Sequence, residues 1–366
     1  MSAGPPPLDR ASLDARLAAA RGAAGRAAAR LTGTIADFFL ADDARLDERT
    51  RHAVAAVLAA TVGAVETDIR RHAARILAGR GADARAEALL QNHDEVVRRL
   101  ARAGLLRDRR LMDELLARVR ADLIAEALPI HHAVADRPSL LIRLADVDDS
   151  IVAAAARALL AAEARRRSAS DNGTPGAGDL TAERHHQLVW WSAACIREAS
   201  AAAIGEDAAV DRAIVEAAHR SLGAHDEGGR VEAVAMRLAG AIDARADELG
   251  PLLLEALADR RLLLFIAVLG RAVDLDFDVA REILLEPEGD RLWLALRAAA
   301  LDRATIAQIA LALADADPRR NIEQFADELD AIAAVPVEAA RSSLAPLTLH
   351  HDLRAAIDAL TRESNW

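Results

Sequence analysis

The sequence predicts an all-α fold, a superhelical array of helical hairpins (an α-solenoid) in two lobes. Three observations carry that reading. Across 366 residues, nearly every segment repeats its apolar residues at helical spacing, and alternating β-branched or aromatic runs are absent. Ala, Leu, Arg and Glu dominate, and all favour helix. Well over a dozen short helical segments are separated by turns of a few residues, which fits stacked hairpins better than a bundle.

Residues 1–8 read as a disordered tail, and 9–167 as an N-terminal helical-repeat region. Its first helix runs from about Asp9 to Leu31. Further helices are expected near 34–41, 45–64, 67–79, 83–103 and 108–128, the last stopped by Pro129. After Pro138, Ser139 is placed to cap the next helix. The stretch "SLLIRLADVDDSIVAAAARALLAAEARRR" (139–167) reads as helix, acidic turn, helix. Asp149 or Ser150 is placed to cap the second helix by accepting from its free N–H groups. Ile151, Ala155, Ala158 and Leu159 make its apolar stripe. "SASDNGTPGAGD" (168–179) is rich in Gly, Ser, Pro, Asn and Asp and reads as a flexible loop where the two lobes meet. A C-terminal helical-repeat region, 180–366, follows. Its helices fall near 180–203, 207–222, 228–246, 249–258, 260–272, 276–285, 288–300, 302–314, 319–333 and 349–362.

Turn chemistry recurs as well. "LIRLADVDDSIVAAAARALL" (141–160) and "LALADADPRRNIEQFADEL" (311–329) share Leu-x-Asp-x-Asp before a second helix. One hairpin cannot bury its apolar face alone, so neighbours must stack. The unit resembles a HEAT repeat. "LLLEALADRRLLLFIAVLGRAVDLDFDVAREILLEPEGDRLWLALRAAAL" (252–301), together with "HHQLVWW" (185–191), resembles an uncharacterised family of Ala/Arg-rich, HEAT-like helical proteins from α-proteobacteria, a domain of unknown function. The resemblance covers roughly residues 40–330. It implies a cytoplasmic, all-helical protein and brings no catalytic residue with it.

Composition narrows the chemistry. Hydrophobic residues make up 52% and charged residues 28%, unlike a disordered chain. All 46 basic residues are Arg, so a P-loop lysine, a Schiff-base lysine and a Ser-x-x-Lys nucleophile are excluded. The net charge is −11, which disfavours a non-specific nucleic-acid binder. The charge is uneven. Residues 1–167 carry 27 Arg and 23 acidic residues, +4, and residues 168–366 carry 19 and 34, −15. That asymmetry allows a homo-oligomer in which the basic lobe of one copy meets the acidic lobe of another. One Cys means no intramolecular disulfide and fits a reducing compartment. "MSAGPPPLDR" lacks the apolar core of a signal peptide, and the uncharged runs at 52–65 and 262–270 fall short of the roughly 20 residues that span a bilayer. These features predict a cytoplasmic location and no membrane partner.

"HHQLVWW" holds two of the eleven His and two of the four Trp, with Cys195 beyond it. On a helix, Leu188, Trp191 and Cys195 share one face, read as core. His186, Trp190 and Arg197 lie near a second stripe and are candidates for a partner surface. Adjacent histidines on a helix diverge by about 100°, so His185 and His186 do not chelate a metal alone. Three doublets, His131-His132, His185-His186 and His350-His351, would need the fold to bring them together. No H-E-x-x-H or Cys-x-x-Cys accompanies them. "DLDFD" (274–278) echoes a calcium loop but has Val279 where Gly is required and Leu285 where Glu is required, so it reads as the acidic start of a helix. Arg165, Arg166 and Arg167 end a helix, where cations suit the negative dipole, and they are candidates for an anionic partner surface.

With no catalytic signature, no cofactor and no metal expected, the favoured function is a non-enzymatic protein–protein interaction scaffold or regulatory adaptor for a protein partner. The alternative is a HEAT-like nucleic-acid-binding or DNA-repair protein using the Arg-rich N-terminal half. A second alternative is a metal-dependent hydrolase built on the His doublets.

Overall fold

The structure, a computed structural model, describes residues 31, 34–35, 46–91, 96–129, 138–171 and 179–363. Among them it forms 17 α-helices and no strand. In chain order these are α1 (Glu48–Gly79), α2 (Asp83–Leu90), α3 (Val96–Arg102), α4 (Arg109–Ala127), α5 (Leu140–Leu144), α6 (Ser150–Asp171), α7 (Ala182–Ile204), α8 (Ala208–Ala224) and α9 (Val231–Ile242). They continue with α10 (Ala246–Ala258), α11 (Leu262–Ala272), α12 (Phe277–Leu284), α13 (Asp290–Ala298), α14 (Arg303–Ala316), α15 (Ile322–Ala333), α16 (Val337–Leu344) and α17 (His351–Glu363). The tail at 1–8 and nearly all of the expected first helix lie outside the described residues.

The chain contacts divide into two units. Unit 1 is drawn from the described residues of 120–158 and 235–363, and unit 2 from those of 34–119 and 159–234. The units do not follow the 9–167 and 180–366 regions expected from composition. The dividing points fall inside α4, α6 and α9. The loop expected at 168–179 also begins later, because α6 runs on to Asp171. Local composition marks where a chain can turn, whereas a unit is set by which helices pack together.

Unit 2 is organised around α1. This helix packs against α2, α3, α7 and α8. Asp47 caps it, accepting from the Thr50 N–H at 2.8 Å. Two helices, 45–64 and 67–79, were expected here, and one 32-residue helix is found. The charged residues at the expected break are buried within it: Glu66 Oε1 accepts from Arg70 Nε at 2.8 Å, and Arg70 Nη1 donates to the Leu89 carbonyl, also at 2.8 Å. Arg70 thereby satisfies a carbonyl at the C-terminal end of α2 that has no partner within that helix. By length and composition α1 is also apolar enough to cross a membrane, the one such helix among the described residues. The uncharged run 52–65 is one part of this helix, which continues through the charged Glu66, Asp68, Arg70 and Arg71. Val54, Val62, Val65 and Ile69 of α1 are fully buried in the unit's core with Leu100, Val189 and Ile196.

Unit 1 builds its core on α11, where Leu264, Phe265, Ile266 and Ala267 are completely buried. This helix packs against α10 and α12, α14 against α15, and α13 against α16. Ser139 stands at the start of α5, but its hydroxyl finds no partner. The Asp259 carboxylate, at the end of α10, accepts from the Leu140 N–H instead. Asp149 caps α6 as expected, with Oδ1 2.8 Å from the Ile151 N and 3.2 Å from the Val152 N. The buried stripe of α6 differs from expectation. Val152, Ala156 and Leu159 are inside and Ile151 is 71% exposed, a one-residue rotation of the stripe. Helix α16 was not expected, since "VEAARSSL" is short and lies between Pro336 and Pro346.

Candidate functional site

The opening turns of α7 hold the residues singled out from the sequence. The face that unit 2 buries is His185, Leu188, Val189, Ser192, Ala193 and Ile196. The expected core face kept Leu188 correctly, but Trp191 and Cys195 are only partly buried and pack at the edge of that core. The correction is again a small rotation: buried residues sit at i, i+3, i+7 and i+11 from His185, a deeper stripe than the one through Trp191.

His185 is 2% exposed, and its ring stacks on that of His225 with centroids 4.3 Å apart and planes 12° from parallel. His185 Nε2 lies 3.4 Å from the Ser221 carbonyl, while Nδ1 is buried without a hydrogen-bond partner. His225 Nε2 is buried and unpartnered in the same way. Burial pushes the His185 pKa below the usual imidazole range, and the nearby His225 adds to the effect. Burial also lowers His225. Both rings therefore favour the neutral form, and stacking is compatible with that state.

His186 and Trp190 come together on the outer face of α7. Trp190 Nε1 donates to His186 Nε2 at 3.2 Å. The indole also meets the exposed His219 ring of α8 edge-on, at 5.3 Å and 83°. His219 was not singled out from the sequence. No pattern within α8 marks it, because its role comes from the packing of α8 on α7. Arg197 does not join this cluster and is held by Asp211, with its Nε and Nη2 donating at 3.2 and 3.3 Å. Arg165 and Arg167 are exposed, and Arg166 turns toward Glu232 at 3.7 Å. The Arg165–Arg167 triplet does not end its helix, since α6 continues for four more residues.

Five other arginines of unit 2 are engaged by carboxylates. Arg80 pairs with Glu216 at 2.8 Å, Arg85 with Asp207 at 2.7 Å, Arg118 with Asp179 at 2.9 Å, and Arg230 with Glu114 at 3.3 Å. Arg99 pairs with Glu198. Each of these pairs joins residues far apart in the chain and engages a guanidinium with a carboxylate.

Of the His doublets, His131-His132 lies outside the described residues. His350 and His351 sit at the start of α17 with ring centroids 4.4 Å apart. With Asp352 they place three ligand-type atoms within 4.8 Å of one another, all exposed. His351 Nε2 is 3.1 Å from the Asp352 carboxylate, and His350 Nδ1 accepts from the Asp352 N–H at 3.3 Å. The three are consecutive in sequence, so this small constellation needs no distant doublet to form. At "DLDFD", Asp278 pairs with Arg281 at 2.8 Å in the first turn of α12, as expected of an acidic helix start.

An exposed apolar stripe runs along α17, where Leu353, Ile357 and Leu360 are 50%, 43% and 65% exposed and their spacing of four and three residues puts them on one face. Leu349, 41% exposed, precedes the helix in extended backbone. Helix α17 packs against the 3-10 turn Ala345–Thr348 that precedes it.

No protein-family model, curated protein or solved structure matches this chain.

Proposed function

We propose that the protein is a non-enzymatic interaction module, a scaffold or regulatory adaptor that engages a protein partner through α17. The single observation behind this reading is the exposed stripe Leu353–Ile357–Leu360. Exposed apolar residues scattered singly need no explanation, but three on one helix face form a patch of the kind used to dock into an apolar groove. The partner chemistry is therefore a hydrophobic groove wide enough for one helix. The rest of the reading extends the sequence-based expectations: helix pairs stacked in a HEAT-like manner, a resemblance to the uncharacterised HEAT-like family, and a cytoplasmic setting.

The ion pairs of unit 2 weigh against nucleic acid as the partner, since Arg80, Arg85, Arg118 and Arg230 are each held by a carboxylate. The test is quantitative capture with the full chain, comparing the native form with the double variant Leu353→Asp, Ile357→Asp. A protein retained by the native chain and lost with the variant, at unchanged melting temperature, supports the reading. Equal retention by both, or retention of nucleic acid alone, rejects it.

A further inference from the structure

Two neighbouring histidines inside a helix point about 100° apart. In α7 that divergence leaves His185 buried and His186 exposed. His350 and His351 escape it, because the helix starts between them. The His350 carbonyl accepts from the Arg354 N–H at 3.0 Å, which makes His350 the cap residue and His351 the first residue of α17. The His350 ring turns back over the first turn. Its Nδ1 accepts from the Asp352 N–H at 3.3 Å, as a capping side chain accepts from a first-turn donor. The two rings therefore converge, with centroids 4.4 Å apart and planes tilted by 36°.

Asp352 completes the cluster. His351 Nε2 lies 3.1 Å from Asp352 Oδ1, and His350 Nδ1 lies 3.9 Å from Asp352 Oδ2. With metal–ligand bonds of about 2.1 Å, two ligand atoms stand about 3 Å apart when adjacent on the ion and about 4.2 Å apart when opposite. Both separations fall inside that range. One ligand atom from each of the three residues lies within 4.8 Å of the other two, and a small rotation of an exposed ring closes the remainder. The bond from the Asp352 N–H is long and exposed, so an ion can displace it and leave that N–H to water. The N-terminal end of the α17 dipole opposes a cation with about half a positive charge, and the full negative charge of Asp352 outweighs it.

We propose that His350, His351 and Asp352 form a binding site for one divalent transition-type cation, with zinc as its probe. Two imidazoles and one carboxylate suit zinc, copper or nickel, whereas magnesium and calcium favour shells of oxygen. Three protein ligands leave at least one position on the ion, and it falls to water because all three residues are exposed. The site uses the polar start of α17 and not its Leu353–Ile357–Leu360 face, so this inference stands independently of the docking reading.

The experiment is isothermal titration of the full chain with zinc chloride, and with magnesium chloride in parallel. Saturable zinc binding, much tighter than magnesium, is expected. His351→Ala and Asp352→Asn should each lower the zinc affinity at least tenfold. Both side chains are exposed, so the melting temperature of the metal-free chain should not fall. His52→Ala, a change on α1, should leave the affinity as it is. Copper(II) bound in place of zinc should show two coordinated nitrogens by electron paramagnetic resonance, and one in His351→Ala. No saturable zinc binding, undiminished affinity in His351→Ala or Asp352→Asn, or magnesium binding as tightly as zinc would each overturn the proposal.

Discussion

The imidazoles of His185, buried on α7, and of His225, partly buried just past α8, face each other with one ring nitrogen of each lacking a hydrogen-bond partner. Their pKa values are lowered by burial, so the folded protein holds them neutral at pH values where the unfolded chain, near 6.5, is already taking up protons. Unfolding therefore binds protons, and stability rises with pH across that window. The melting temperature should hold above pH 6.5 and fall as the pH drops below it. His185→Leu should flatten that slope, as read by thermal denaturation at a series of pH values. A melting temperature that stays level from pH 7 to pH 5 in the native chain contradicts the assignment. Arg70 gives a second residue-level expectation. Removing it takes a hydrogen-bonding cation from buried Glu66 and a donor from the Leu89 carbonyl, so Arg70→Ala should cost about 3–5 kcal/mol in urea unfolding. The double change Arg70→Met, Glu66→Met should recover most of that loss. Neither effect is legible in the sequence. Periodicity assigns charged and histidine positions to the surface by default, and a buried pair announces itself only once two helices are seen to meet.

At the scale of elements, helical spacing located nearly all the described helices, because 3.6-residue periodicity is a local property of the chain. It set the rotation of each helix less well. On α6 and α7 the buried stripe is one step from the expected one, since Ala-rich faces differ little in apolarity and packing chooses among them. Ile151 is left exposed for that reason. The contact of the Trp293 and Phe325 rings in unit 1 was out of reach, because they come from two elements, α13 and α15. Gly289 is the sensitive position beside it, with φ at +71° and a Cβ that would fall 2.8 Å from the Trp293 ring. Gly289→Ala should cost about 1–2 kcal/mol from the left-handed backbone alone, with more from the collision with the indole, and should shift the tryptophan fluorescence. Helix α17 behaves in the opposite way. Leu353→Asp places a charge on an already exposed surface and should change stability by no more than about 0.5 kcal/mol by the same denaturation measurement.

For the whole molecule, the all-α class was legible and the division into units was not. A flexible composition at 168–179 drew attention, but the units are assembled from separated stretches of chain, which no local signal encodes. Charge tells a similar story. The +4 of residues 1–167 suggested a surface for anions, yet arginines from that region find carboxylates from the acidic remainder of the chain, Arg80 with Glu216 and Arg85 with Asp207. Fluorescence polarisation with labelled duplex and single-stranded DNA at about 50 mM salt should accordingly show no binding. Binding that weakens steeply by about 200 mM would return the basic half to consideration.

Site-specific photo-crosslinking in the host cell tests α17 as the working surface most directly. A photoreactive residue is placed at Leu353, at Ile357 and, on the opposite face of the same helix, at Ala355. A discrete crosslinked protein from positions 353 and 357, absent from 355, is the predicted result. No product from the stripe, or the same products from all three positions, would contradict it.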